Sequence, residues 1–351
     1  MRKKTSLWAV FALLALLSCQ GRDQYIALNG YAQGGTYSVK LNIKGVREQP
    51  EAIHAAVDSL LKEIDFTLSG YNKASLLSRL NAGETITPNP MLCDLYDRSY
   101  RLYMQSEGAF DVACGPLFNV WGFGFTRDSL PDPAKLAEAV ARSGMGRLKP
   151  TMEEALAADG TLNARNLLLD AAWEAPLLNF NAIAQGYSCD YVAAYLHSLG
   201  VKDMLVDIGE IYCEGRNPGG RPWAVGIDSP VDGNNTPGAD MQGIWHSSGS
   251  EGQGIVTSGN YRKFYVRDGK KYSHTIDPRT AAPVTHSLLS ATVVAPDSTT
   301  ADAVATWCMV VGFDAAVELL QTLGLEGCLI HDAGGSMQLW HTPGFDLTVQ
   351  H

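Results

Sequence analysis

The dipeptide Asp268-Gly269 sits between two strand-like runs, Tyr261 to Val266 and Lys271 to Ile276. Asp-Gly between such runs predicts a tight antiparallel hairpin, because both residues tolerate positive φ. A further strand is predicted at Leu288 to Ala295. A helix follows from Ala301 to Leu323, opened by the capping residues of Pro296 to Thr300. Cys328 to His331 and Met337 to Trp340 read as a second hairpin turning at Gly334-Gly335. Hairpins in succession predict an α+β chain: a mainly antiparallel sheet with helices packed on one side. No GxGxxG follows a strand, and no GxxxxGK[ST] or GxSxG occurs. These absences disfavour a dinucleotide fold, a P-loop and a hydrolase nucleophile elbow.

Earlier in the chain, residues 20–29 read as a short tether and the stretch 29–37 as a glycine-bearing turn. Tyr37 to Ile43 alternates as a strand. Glu51 to Leu68 carries apolar residues at helical spacing, and Pro90 to Ser106 and Pro133 to Arg142 also read as helices. Ser75 is placed to cap a short helix. A helix running to Leu199 bears Tyr187, Tyr191 and Tyr195 on one stripe, which reads as core. Leu205 to Glu210 and Trp223 to Asp228 read as strands, and Ser229 to Gly243 as a loop.

The first residues are not part of this fold. Arg2, Lys3 and Lys4 precede an apolar run of about a dozen residues, too short to span a bilayer. The run ends in Leu16-Leu17-Ser18-Cys19, which resembles the lipobox of bacterial lipoproteins. This predicts a leader over 1–18, acylation at Cys19 and a tether over 19–29. A domain over 30–351, long enough for one large unit or two interlocked lobes, would follow, anchored on a membrane without spanning it. The chain has a net charge of −10, and losing the three leader cations makes it −13. That balance argues against nucleic acid as a partner. The six later cysteines show no CxxC spacing and are expected as free, mostly buried thiols.

Three groups of residues carry chemistry. Asp302 and Thr306 are four apart on one helix face and offer a charged and a neutral oxygen to a hard cation. The same spacing also fits a first-turn Asp beside a Thr bonding its own backbone. His274 supplies a side chain that titrates near neutrality, as a base or as a partner to phosphate or Asp277. Asp111 lies in an apolar, glycine-flanked run, where a carboxylate needs donors. It reads either as functional or as a turn-bonding Asp.

Taken together, seven blocks in order resemble the FAD:protein FMN transferases, the ApbE or thiamine-biosynthesis lipoprotein family. They are Gly34-Gly35-Thr36-Tyr37, Ser69-Gly70-Tyr71 with Leu77 to Asn81, and Gly108 to Val112 with Gly115-Pro116-Leu117 and Trp121 to Gly124. Then come Ile183 to Tyr187, Thr257 to Arg262, Ser273 to Thr280, and Ala301 to Thr306. The resemblance implies an ApbE-like, T-fold-related enzyme in the bacterial cell envelope, lipid-anchored and facing the periplasm or exterior. It implies Mg²⁺ as cofactor and FAD as substrate. FMN would pass to a Thr or Ser hydroxyl of an exported acceptor protein, with AMP released. By position it implies metal ligands at Asp302, Thr306 and the Ala182 carbonyl, and FAD contacts at Gln33, Tyr71, Ala109, Phe110, Asp111, Asn179, Gln185 and Ile276. His274 falls where the family has its essential histidine.

This chain departs from the family pattern at several points. Gln33 stands for Met, and Asn72 to Ser75 lacks a Pro. Asn179 to Ala182 replaces Asp-Leu-Gly-Gly, and Gln185 replaces Lys or Glu. Ala305 stands where some members have a further Asp. Two other functions fit the same residues: an FAD pyrophosphatase giving FMN and AMP, and a non-catalytic flavin-binding lipoprotein.

Overall fold

The computed structural model describes residues 23–124, 130–175, 177–234, 236 and 238–349. The leader, Cys19 and Phe125 lie outside the described residues. The strands are β1 (Tyr25–Ala32), β2 (Gly35–Asn42), β3 (Met204–Asp207), β4 (Ile211–Glu214), β5 (Ala224–Asp228), β6 (Met241–His246) and β7 (Gln253–Gly259). They continue as β8 (Phe264–Arg267), β9 (Lys270–Ser273), β10 (Ile276–Asp277), β11 (Ala282–Pro283), β12 (Leu288–Ala295), β13 (Glu326–Asp332), β14 (Met337–His341) and β15 (Leu347–Val349). The helices are α1 (Pro50–Leu68), α2 (Leu76–Asn81), α3 (Pro90–Gln105), α4 (Gly115–Val120), α5 (Pro133–Ala141), α6 (Met152–Ala155), α7 (Ala184–Ser198), α8 (Ser298–Val311) and α9 (Phe313–Leu323).

The main sheet runs β1-β2-β3-β4-β7-β12-β13-β14, and every neighbouring pair is antiparallel. Its two faces are sorted by the two-residue period of strands. On β3, Met204 and Val206 pack with α1, α3 and α7, whereas Leu205 faces the small sheet β15-β6-β5 and its Trp223, Trp245 and Phe345. Val256, Val293 and Leu329 pack under α8 and α9. The expected α+β class with a mainly antiparallel sheet is what is seen.

Local signals set the element ends. Ser75 caps α2 by accepting from the Ser78 amide at 2.9 Å. Asn89 does the same for α3, with Pro90 at its first position. Asp268 (φ 51°) and Gly269 (φ 72°) form the β8–β9 turn as expected. The six described cysteines are free, four of them buried.

Three expectations are corrected. The segment read as tether holds the start of β1, since Tyr25 to Asn29 pair with Asn42 to Ser38. The helix read as continuous from Ala301 to Leu323 starts at Ser298 and is two helices. Gly312 (φ 86°, ψ 176°) ends α8 and turns the chain into α9. The loop read over Ser229 to Gly243 also ends in a strand, β6.

Candidate active site

The end of β7, the turn after β3, the start of α7 and the first turns of α8 converge on a cavity of about 270 Å³. Asp302 lies in the first turns of α8. That helix is capped by Asp297, whose carboxylate accepts from the Thr300 amide at 2.7 Å. The Asp302 side chain is buried and accepts from the Gly186 amide at 2.9 Å. Burial pushes its pKa up to about 7, and the Asp190 carboxylate adds to the rise. Thr306, one turn on, stands 3.5 Å from the Ser258 hydroxyl.

Ala182 precedes α7. The first acceptor of that helix is Ile183, bonded by the Tyr187 amide at 3.0 Å, so the Ala182 carbonyl lies just outside the helical ladder. Asp302, Thr306 and Ala182 all line the cavity.

His274 reaches the cavity from the loop after β9. Its Nδ1 lies 3.0 Å from the Lys263 carbonyl, and its backbone amide donates to the same oxygen. A carbonyl only accepts, so the ring carries its proton on Nδ1 and leaves a lone pair on Nε2. Burial lowers the His274 pKa to about 4, and the neighbouring Lys263 cation acts in the same direction. The Phe123 ring packs against the imidazole in a T-shaped arrangement, with centroids 6.5 Å apart.

Ala109, Phe110, Asp111, Asn179, Gln185 and Ile276 line the same cavity. Of the positions the resemblance implies for FAD, Gln33 and Tyr71 do not line it. Both stand beside elements that form it: Gln33 donates to Ser188 of α7 at 2.5 Å, and Asn181 donates to the Tyr71 hydroxyl at 3.4 Å. The Asp111 carboxylate is held by the amides of Ala113 at 2.7 Å and Met145 at 3.1 Å, so turn bonding is what its oxygens do here. Burial nonetheless pushes its pKa up to about 6.

Sequence reasoning missed Glu210. Asp207 holds the Gly209 amide at 3.1 Å, Gly209 takes φ 95°, and the chain turns to bring Glu210 into the cavity. Burial, then the Asp302 charge, pushes the Glu210 pKa well above its usual value. A Gly-Glu pair closing a strand is the only sequence signal of this. Lys263 also lines the cavity, and Arg262 does so while paired with Asp228 at 2.6 Å.

Among the described residues, no cluster of three or more His, Cys, Asp or Glu side chains is arranged for a metal. The donors present are one buried carboxylate, a hydroxyl one helical turn away and a carbonyl outside its ladder. Such a sparse set of hard oxygens fits Mg²⁺, which keeps several waters and takes its remaining ligands from phosphate. The raised Asp302 and Glu210 carboxylates point the same way, since a cation would relieve both.

A family model described as the ApbE family matches residues 24–329. The FAD:protein FMN transferase of Haemophilus influenzae is 34% identical over 330 residues, covering 92% of this chain and 91% of that protein. The enzyme of the same name from Vibrio cholerae is 32% identical over 313 residues, covering 87% of each. Among solved structures, the flavinyl transferase ApbE of Pseudomonas stutzeri superposes with a TM-score of 0.77 at 31% identity. That match covers 92% of this chain and 96% of the other. The flavin transferase ApbE of Vibrio cholerae gives 0.75 at 29% identity, covering 92% and 98%.

Proposed function

This chain belongs to the ApbE family, and from that premise we propose that it transfers FMN from FAD to a Thr or Ser hydroxyl of an exported acceptor protein, releasing AMP. The observation that carries the reading is the common cavity. His274, Asp302, Thr306, Ala182 and the Ala109–Asp111 turn come from distant parts of the chain and line one space.

His274 acts on the acceptor. Its Nε2 lone pair takes the hydroxyl proton as the oxygen attacks the FMN-side phosphorus of FAD. The bond from that phosphorus to the bridging oxygen breaks, and AMP leaves with the electron pair. The Lys263 carbonyl holds the imidazole in the tautomer this requires. Asp302, Thr306 and the Ala182 carbonyl would hold Mg²⁺, which neutralises charge on the diphosphate oxygens when bound. Ala109, Phe110, Asn179, Gln185 and Ile276 hold FAD in place. Tyr71 offers a ring at the margin.

The chain is proposed to work as a lipoprotein acylated at Cys19, at a bacterial envelope membrane and facing the periplasm or exterior. No helix among the described residues is long and apolar enough to cross a membrane.

The test incubates the purified protein with FAD, Mg²⁺ and an acceptor bearing a Thr. A fluorescent, covalently flavinylated acceptor and one AMP per transfer are expected. FAD bound without any labelled acceptor would sink the transferase reading. AMP released at the same rate without acceptor would identify a pyrophosphatase instead.

A further inference from the structure

Helices α7 and α8 cap each other. The Gly186 amide, in the first turn of α7, donates to Asp302 on α8 at 2.9 Å. In return Asp190, one turn further along α7, takes the first amides of α8. One of its oxygens accepts from the Ser298 amide at 2.8 Å. The other accepts from the Thr299 amide at 2.8 Å and the Thr299 hydroxyl at 2.5 Å. Asp190 is four residues after Gly186, and Asp302 is four after Ser298, so each helix uses one turn in each direction. The helices touch between these bonds: a Cβ on Gly186 would lie 2.2 Å from the Ser298 carbonyl oxygen and 2.8 Å from the Asp302 Cβ. The Ser298 hydroxyl adds a bond to the Ile211 carbonyl on β4 at 3.0 Å.

The α8 helix already has its own cap in Asp297, which serves Thr300. The bonds from Asp190 therefore fix where α8 sits against α7, besides satisfying its remaining orphan donors. The groups proposed to hold the cation are divided between these helices, with Ala182 just before α7 and Asp302 and Thr306 on α8. We propose that Asp190 is a positioning residue for the cation site, setting the separation between the Ala182 carbonyl and the Asp302–Thr306 pair. The assignment rests on the reading above that these three groups bind Mg²⁺.

The chemistry requires a carboxylate at this position. All three partners of Asp190 are donors, and an amide would turn an NH₂ group toward at least one of them. Outer partners that orient metal ligands typically alter affinity by about 10- to 100-fold when removed.

The experiment uses the purified protein and Mn²⁺ alone as a paramagnetic probe, with binding read by electron paramagnetic resonance. Wild type, Asp190→Asn, Thr299→Val and Asp302→Ala are compared. Asp190→Asn should bind Mn²⁺ about 10- to 100-fold more weakly. Its KM for Mg²⁺ in flavin transfer should rise far more than its kcat falls. Thr299→Val, which removes one donor and keeps the carboxylate, should show a smaller loss in the same direction. FAD affinity without metal and the far-ultraviolet circular dichroism should match wild type in both. Wild-type Mn²⁺ affinity in Asp190→Asn overturns the assignment and leaves the metal reading standing, as does a parallel loss of fold, FAD and metal binding in both variants. Equal Mn²⁺ affinity in wild type and Asp302→Ala sinks the metal reading and this assignment with it.

Discussion

The Nδ1 of His274 lies 3.0 Å from the Lys263 carbonyl oxygen, and only a ring protonated on Nδ1 makes that bond. The pKa of the ring, lowered to about 4 by burial, keeps it neutral at ordinary pH. A neutral base works above its pKa and is lost below it. With Mg²⁺ saturating, so that Asp302 stays ionised, flavin transfer should therefore be flat through neutrality and fall toward acid as His274 takes a proton. His274→Ala should lower the transfer rate by about 10²- to 10⁴-fold while FAD still binds. Steady-state rates across pH, with FAD binding followed separately, check both. A variant with wild-type rate would remove His274 from the proposed chemistry.

The carboxylates of the cavity titrate in the opposite sense. The pKa of Asp302, raised to about 7, lets the folded protein hold a proton that the unfolded chain releases near 4. Its contribution to stability is present below the unfolded value and lost as pH rises through about 7. Asp111, raised to about 6, behaves likewise. A cation needs the ionised Asp302, so Mg²⁺ should raise the melting temperature more at about pH 8 than at about pH 5.5. Asp302→Asn should remove that difference. Melting curves with and without Mg²⁺ at the two pH values measure it, and an equal Mg²⁺ effect at both contradicts the assignment.

Residue types and spacing alone left Asp302 and Thr306 ambiguous; the seven ordered blocks of the resemblance are what singled out Asp302, Thr306 and His274 together. What the sequence hid depends on contacts between distant segments. Glu210 looks like the polar end of a strand until Gly209 turns it toward Asp302. Asp190 looks like a polar residue in a tyrosine-striped helix, and its partners lie more than 100 residues away. The break at Gly312 was masked because Val317 and Leu320 continue the apolar pattern past it. Strand β1 was masked by Asn29-Gly30, which reads as turn; Gly30 is needed because a Cβ there would lie 2.4 Å from the Tyr37 ring.

Gly186 is the contact point of the two helices. In Gly186→Ala the new methyl would meet the Ser298 carbonyl, a backbone atom held by the Ile211 bond to its own side chain. The helices must part, and overpacking of this kind costs about 1–3 kcal/mol. The midpoint of urea unfolding should fall accordingly. Parting α7 from α8 also moves the Asp302 carboxylate from its 2.9 Å bond, so Mg²⁺ affinity should fall in the same variant. A variant with unchanged midpoint and unchanged Mg²⁺ affinity would show that the contact tolerates a methyl.

Tyr71 separates binding from stability. Tyr71 is 67% exposed, and its hydroxyl accepts a long 3.4 Å bond from the Asn181 side-chain amide. Little packing is lost on truncation, so Tyr71→Ala should change folding stability by no more than about 0.5 kcal/mol. The ring stands beside Asn181, which lines the cavity, and an aromatic face there is suited to stacking on a flavin or adenine ring. Stacking of that kind contributes about 0.5–1.5 kcal/mol, so the FAD dissociation constant should rise roughly 2- to 12-fold. Flavin fluorescence titration gives the affinity and a thermal melt gives the stability. An unchanged affinity would remove Tyr71 from the FAD contacts, and a large drop in melting temperature would give it a structural role instead.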